Sequence, residues 1–155
     1  MKTIADLITE LTFFQGLDQK DLDFVAGCGQ NVHFAEGDQI LTEGGAANTY
    51  YVLRSGRVAL SFFVPGRGNV IVDTLSDGDV LGWSWLFEPY RWSFDALANE
   101  DVAAVAFDGS CLRTKCDSDP QLGYQLVQRF ARVMLERLQS VRMRLIDVYG
   151  PGTPR

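Results

Sequence analysis

The apolar positions at the start of the chain recur at the three- and four-residue spacing of a helix, which predicts an amphipathic helix over residues 2–15. These positions are Ile4, Leu7, Ile8 and Leu11. Residues 19–28 are predicted to form a second, shorter helix, with Asp18 as its N-cap.

From residue 30 to residue 107 the pattern changes to short apolar or alternating runs that are separated by glycine-containing turns. The runs are 31–35, 39–42, 50–54, 57–64, 69–75, 80–82, 93–98 and 102–107. Short strands at nearly regular spacing favour an antiparallel sandwich or roll over alternating strands and helices.

The last part of the chain has helical character again. Residues 108–117 are predicted to form a short helix, and Asp119-Pro120 marks the point where it stops and a long helix over 121–148 begins. Apolar residues of the long helix recur at steps of three or four and form a narrow seam of coiled-coil type. The seam consists of Val127, Phe130, Met134, Leu138, Val141, Leu145 and Val148. The tail 150–155 is expected to end the helix and to be loose.

Two interpretations of this seam are open: it packs onto the roll, or it pairs with the same helix of a second copy. The 28 residues of the helix extend about 40 Å, more than a small roll covers. The length favours a parallel two-helix contact, and hence a homodimer. The arginines of the helix are predicted to be solvated at the sides of the seam, and they are Arg129, Arg132, Arg137, Arg142 and Arg144.

Size and charge narrow the classes of function. The 155 residues suit a single domain, 1–155, and 46% hydrophobic with 22% charged residues is the balance of an ordinary globular protein. A net charge of −6 opposes non-specific binding to nucleic acid or anionic lipid. Asp6 and Glu10 interrupt the first apolar positions, so no signal peptide is expected. Without a long apolar stretch no membrane association is expected either, and a cytoplasmic location is predicted.

Catalytic and metal chemistry find little support in the sequence. Cys28, Cys111 and Cys116 form an odd, sparse set that predicts reduced thiols, and the only histidine is His33. A metal site needs three or four converging ligands, and a metal-dependent roll enzyme needs a cluster of histidines. No arrangement that would activate a nucleophile is visible. We therefore predict neither a catalytic residue, nor a metal, nor an enzyme.

Three segments resemble the signature of cyclic nucleotide-binding domains. Residues 43–58 (EGGAANTYYVLRSGRV) resemble the family's Glu-Gly-Asp-x-x-Asp turn and the strand that ends in Gly-x-Val, and residues 37–41 (GDQIL) resemble the turn and strand before it. Residues 78–82 (GDVLG) resemble the Gly-Asp-x-Phe-Gly approach to the phosphate-binding cassette. Together with the helical flanks, these segments are most similar to the catabolite activator and Fnr group of bacterial regulators.

The resemblance implies a fold that is mainly β with flanking helices. The roll, a double-stranded β-helix of jelly-roll type, would span residues 30–107. Helices would precede it at 2–28 and follow it at 108–148, the last of them long. Only seven residues follow Val148, far fewer than the helix-turn-helix of the DNA-binding members needs, so no DNA-binding domain is expected in this chain.

The resemblance also implies a ligand site. The ligand would be cAMP, another cyclic nucleotide or a similar small anion. Glycine allows the backbone to approach a ligand closely, and an arginine can clamp a phosphate by charge-assisted hydrogen bonds. The candidate ligand-binding residues are Gly82, Trp83, Ser84, Arg91, Trp92 and Ser93.

The chain departs from the family at two of these positions. The family has a glutamate after the glycine, which binds the ribose hydroxyl, whereas Trp83 cannot accept that hydrogen bond. The family has small residues after the arginine, whereas Trp92 follows Arg91 here. Two hypotheses therefore stand: a ligand-sensing regulatory module that transmits binding through the C-terminal helix, or a ligand-free dimerisation or docking domain that has kept only the fold.

Overall fold

A computed structural model describes residues 2–149 and shows two four-stranded antiparallel sheets with helices at both ends. The strands are β1 (Gly29–Phe34), β2 (Gln39–Leu41), β3 (Thr49–Ser55), β4 (Val58–Val64), β5 (Gly68–Leu75), β6 (Val80–Leu81), β7 (Asp95–Ala98) and β8 (Val102–Asp108). The helices are α1 (Ile4–Thr9), α2 (Gln19–Ala26), α3 (Gly109–Ser118) and α4 (Pro120–Tyr149). The predicted roll with a long C-terminal helix is confirmed.

The order of the strands explains the roll. One sheet has the order β1-β8-β3-β6 and the other β2-β7-β4-β5. The chain changes sheet at every connection except the β4–β5 hairpin, as in a jelly roll. Strand β8 lies in the middle of the first sheet, where Val105 pairs with Asn31 of β1 and with Val52 of β3. Its last residue, Asp108, is also the N-cap of α3, and its carboxylate accepts a hydrogen bond from the Cys111 N–H at 3.0 Å.

Two apolar clusters hold this architecture together. The first lies between the β1-β8-β3-β6 sheet and the helices, and Tyr50 is at its centre. The Tyr50 ring stacks on Phe107 and Trp85, with centroids 4.8 and 5.1 Å apart, and meets Phe130 of α4 edge-on at 4.9 Å. The second cluster fills the space between the two sheets and includes Trp92. Burial of both clusters supplies the main driving force for folding.

The single helix predicted over 2–15 is wrong in its second half. Helix α1 ends at Thr9, Leu11 has extended backbone, and a separate 3₁₀ turn follows at Thr12–Phe14. The extended backbone at Leu11 redirects the chain just before this turn. The break allows the neighbouring Phe13 and Phe14 both to be buried in the first cluster.

The prediction of three reduced thiols is also wrong. Cys28 and Cys111 form a disulfide, with Cα atoms 5.8 Å apart, and only Cys116 is free. Strand pairing explains the contact: Gly29 of β1 lies opposite Phe107 of β8, so the residues that flank these strands meet. The partners are 83 residues apart in sequence, which hides the pair from any analysis of local spacing.

Helix α4 uses two different faces. Leu122, Leu126 and Phe130 are buried against the roll, with Val133 and Met134 partly buried beside them. The other seam residues are exposed, and they are Val127, Leu138, Val141, Leu145 and Val148. Of the predicted seam, Phe130 and Met134 therefore pack onto the roll. The predicted homodimer stays a prediction.

No helix within residues 2–149 is long and apolar enough to cross a membrane. The predicted loose tail, 150–155, lies outside the described residues.

Candidate functional site

The predicted ligand residues lie in the connection between β6 and β7, which we call the cassette corner (residues 82–93). After Gly82 the chain makes a 3₁₀ turn at Ser84–Leu86. A cis peptide bond precedes Pro89, and Arg91 then pairs with Ala46 as an isolated antiparallel bridge. This path returns the chain to the turn that follows β2.

Gly82 and Trp92 are in direct contact within the corner. Gly82 has φ +94°, a conformation that residues with a side chain rarely adopt. A Cβ atom at this position would lie 2.5 Å from Cζ3 of the Trp92 indole. The close approach that glycine permits is therefore made to the protein's own ring. Trp92 is only 6% exposed and belongs to the cluster between the sheets.

The glycine turn after β2 fixes Trp92 in place. The Trp92 N–H donates to the carbonyl of Gly45, and the Trp92 carbonyl accepts from the Gly44 N–H, both at 2.9 Å. One step away, the Ala47 N–H donates to the Tyr90 carbonyl at 2.7 Å. The segment that carries the family resemblance thus forms a short backbone ladder with residues 90–92.

Arg91 and Ser93 lie on the exposed rim of the corner, on either side of the buried indole. Nη1 of Arg91 donates to the Gly44 carbonyl at 3.3 Å, and within residues 2–149 this guanidinium makes no ion pair. Because Arg91 is exposed, its charge is available to an anion in solution. That these residues bind a ligand stays a prediction.

Trp83, at the family's glutamate position, lies under an arginine of α4. The Arg137 guanidinium carbon is 4.7 Å from the centre of the Trp83 ring, a cation–π contact, and Arg137 also donates to the Val80 carbonyl. Burial lowers the pKa of Arg137, while the carboxylates of Asp73 and Asp79 act in the opposite direction. Arg137 thereby joins α4 to the strand that leads into the corner.

The prediction that Arg137 is a solvated arginine is consequently wrong. The sequence analysis also did not identify Arg137 as a neighbour of the cassette corner. A signal was available, because Arg137 follows the buried Phe130 by seven residues, which is two helical turns, and shares its face. Arg113 of α3 was missed too: it donates to the Trp85 carbonyl and lies 4.4 Å above the Tyr90 ring. Trp85 itself is buried in the first cluster.

A surface pocket away from the cassette corner is lined by His33, Ser55 and Asp101, which are the residue types of a hydrolase triad. Both His33 and Ser55 pair with Ala103, from opposite sides of β8. Two inter-strand spacings of about 4.8 Å therefore separate them, too far for a hydrogen bond from serine to histidine. Within residues 2–149 no three potential metal ligands converge. The absence of enzymatic and metal chemistry stays a prediction.

The chain is similar in sequence to a known domain family and to a curated bacterial protein. A model of the cyclic nucleotide-binding domain matches residues 31–119, more than half of the chain. The CRP-like cAMP-activated global transcriptional regulator of Mycobacterium tuberculosis is 25% identical over 150 residues, which make up 96% of this chain and 65% of that protein. The chain thus spans 65% of the length of this curated relative.

Two solved structures have the same fold. A Geobacter metallireducens protein, described as cyclic nucleotide-binding, has a TM-score of 0.77 at 27% identity, over 84% of this chain and 95% of that one. The catabolite activator protein of Thermus thermophilus has a TM-score of 0.70 at 21% identity, over 88% of this chain and 62% of that one. At 21% identity, the similarity to the Thermus thermophilus protein shows a shared fold and no more.

Proposed function

Because the chain belongs to the cyclic nucleotide-binding domain family, we propose that it is a regulatory module that acts through α4 and whose cassette corner is filled by its own Trp92. The observation that carries the proposal is the contact between this indole and Gly82, where a Cβ atom would lie 2.5 Å from the ring. A protein interior is close-packed, so a nucleotide and the indole cannot share this space.

Trp83 and Arg91, the neighbours of Gly82 and Trp92 in the sequence, support the same proposal. Trp83 cannot accept a hydrogen bond from a ribose hydroxyl, and its ring is covered by Arg137. Arg91 is exposed and bonded to the Gly44 carbonyl. The acceptor that the resemblance implies for a sugar hydroxyl is therefore missing beside the arginine that it implies for a phosphate, whereas tight binding of one ligand requires both kinds of group.

The first test is calorimetric titration of the protein with millimolar cAMP and cGMP. We expect no heat of binding and no change in tryptophan fluorescence. A Trp92→Ser variant, which removes the indole from Gly82, is expected to gain weak binding. The control is Ser93→Ala at the exposed neighbouring position, which should behave like the parent protein. A saturable one-to-one isotherm for the parent protein would show that the indole does not exclude the nucleotide.

Output through α4 is supported by its exposed apolar seam. Val127, Val141 and Val148 recur at multiples of seven residues, and Leu138 and Leu145 form a second row with the same period. This is the spacing of a two-stranded coiled coil. The helix is about 45 Å long, and its buried contacts with the roll are concentrated in its first half. The proposed partner is therefore α4 of a second copy, in parallel orientation.

A charge in the seam tests the dimer. Leu138→Glu is expected to convert a dimer into a monomer, because Leu138 is 60% exposed in the single chain and becomes buried only on pairing. The matched control is Gln139→Glu, which adds the same charge at an exposed position outside the seam. Sedimentation equilibrium gives the mass. A monomeric parent protein, or equal effects of the two substitutions, would contradict the dimer.

A second candidate function is the sensing of a cyclic nucleotide or similar small anion at the cassette corner. The observation that favours it is the exposed Arg91 guanidinium, which forms one hydrogen bond, to Gly44. Binding would displace the indole and move the corner against Arg137 and α4. The titration above separates the two functions, because sensing requires a response in the parent protein that Arg91→Ala abolishes, whereas the first proposal requires no response in either.

A further inference from the structure

A groove of about 770 Å³ lies between α4 and the turn that joins β5 to β6. Its walls are residues 128–140 of α4 on one side and residues 73–80 on the other, and the 3₁₀ turn that contains Phe13 closes one end. Neither Gly82 nor Trp92 lines it. The groove is therefore distinct from the space that Trp92 fills, and Arg137 lies between the two, because it lines the groove and contacts Trp83. The two walls of the groove belong to the helix and to the roll.

Three arginines of α4, namely Arg129, Arg132 and Arg137, face this groove. Nη1 and Nη2 of Arg129 donate to the Gln125 and Gln15 carbonyls, and Arg137 donates to the Val80 carbonyl. Nε of Arg129 and Nη1 of Arg137 are buried and have no hydrogen-bond acceptor among the described residues. A guanidinium stays charged, and a buried charged donor without an acceptor is unfavourable. Burial lowers the pKa of Arg129, and the neighbouring charge of Arg132 lowers it further. The backbone carbonyls that accept from Arg129 and Arg137 carry no net charge, so an anion in the groove would add a counter-charge to both guanidinium groups.

Three of the four carboxylates in the groove have hydrogen-bond or ion-pair partners of their own, although Asp73 and Asp79 also act on the charge of Arg137. Asp73 pairs with Arg144 at 2.9 Å, Asp77 accepts from the Gly56 N–H at 3.0 Å, and Asp79 accepts from the Ser76 N–H at 2.8 Å. Glu136 is the remaining one, and it lies one turn along α4 from Arg132. Within residues 2–149 none of the four carboxylates forms an ion pair with the three arginines that face the groove.

We propose that this groove binds a small organic anion whose carboxylate or phosphate group is held by Arg129, Arg132 and Arg137. The planar guanidinium matches both groups with paired hydrogen bonds. A ligand in this position would contact α4 and the roll together, and would therefore stabilise the docked position of the helix. The site lies beyond the proposed function, which concerns the cassette corner.

The test is calorimetric titration with inorganic phosphate and, separately, with citrate, in a buffer of low ionic strength that contains neither. Arg132→Gln is expected to weaken binding by about tenfold or more, the effect of losing one charge-assisted contact. Arg132 is exposed and makes no hydrogen bond to any other residue within 2–149, so the variant should fold. Glu136→Gln removes a repelling charge and is expected to strengthen binding. The control is Arg142→Gln, an exposed position of α4 beyond the groove.

Binding of phosphate alone would identify a phosphorylated ligand, and binding of citrate alone would identify a carboxylate. Absence of binding by both anions would overturn the proposal. Equal weakening in Arg132→Gln and Arg142→Gln would overturn it as well, because it would indicate attraction to the charge of the helix as a whole. Neither result would affect the Trp92→Ser experiment, which tests the other site.

Discussion

Replacing Phe130 with alanine is expected to lower the free energy of unfolding by about 3–5 kcal/mol, the usual cost of truncating a fully buried phenylalanine. Phe130 is 1% exposed, and its ring centre lies 4.9 Å from Tyr50, 5.0 Å from Phe13 and 5.4 Å from Trp85. It is the residue through which α4 contacts the roll, the N-terminal segment and the cassette corner at once. The truncation would leave a cavity that three different elements line.

Urea denaturation followed by circular dichroism measures this loss. The control is Leu135→Ala on the same helix, where the side chain is 52% exposed and lies outside the seam. Surface substitutions of this kind change stability by less than about 0.5 kcal/mol. Similar losses in the two variants would mean that α4 is not attached through Phe130.

Reduction of the Cys28–Cys111 disulfide is expected to lower the free energy of unfolding by about 2–5 kcal/mol. The bond joins residues 83 apart in sequence and connects the end of α2 to the first turn of α3. Its loss increases the conformational freedom of the unfolded chain, which disfavours folding. The stability of the N-terminal helices against the sheet should therefore depend on redox conditions.

Melting curves with and without reductant measure the effect, and Cys28→Ser should reproduce the reduced value without reductant. Cys116→Ser is the control. Burial, followed by the charges of Asp117 and Asp119, raises the pKa of Cys116, so this free thiol reacts more slowly with alkylating agents.

Denaturation without reductant followed by alkylation should label one cysteine. Three labelled cysteines would match the reduced thiols and cytoplasmic location that the sequence predicts.

The sequence predicts the fold well because the decisive signals are local. All eight strands lie within two residues of the predicted runs, since alternating side chains and glycine turns act over short distances. Gly56 is an example: it has φ +107°, and a Cβ atom there would lie 2.5 Å from the Asp101 carbonyl, so the turn before β4 requires glycine. The end of α1 was missed because it depends on the packing of Phe13 and Phe14.

The cassette corner could be located from the sequence but not described. Its position followed from the order of the motifs. Whether Trp92 faces a ligand or fills the space beside Gly82 depends on the path of the backbone at Trp92, which is hydrogen-bonded to a glycine turn about 47 positions away in sequence. The burial of Arg137 and the pairing of Cys28 with Cys111 are likewise consequences of tertiary contacts.

The junction at Asp108 has a mechanical consequence. Asp108 ends β8 and begins α3, and Asp119 alone separates α3 from α4. The covalent path from the central strand of the sheet to the long helix therefore contains no flexible linker. Asp119 has non-helical backbone angles, φ −133° and ψ 83°, so this residue is the point between β8 and the far end of α4 at which the direction of the helix can change. A movement of α4 is consequently expected to reach the central strand through α3 and Asp119, with no loop in which it could be lost.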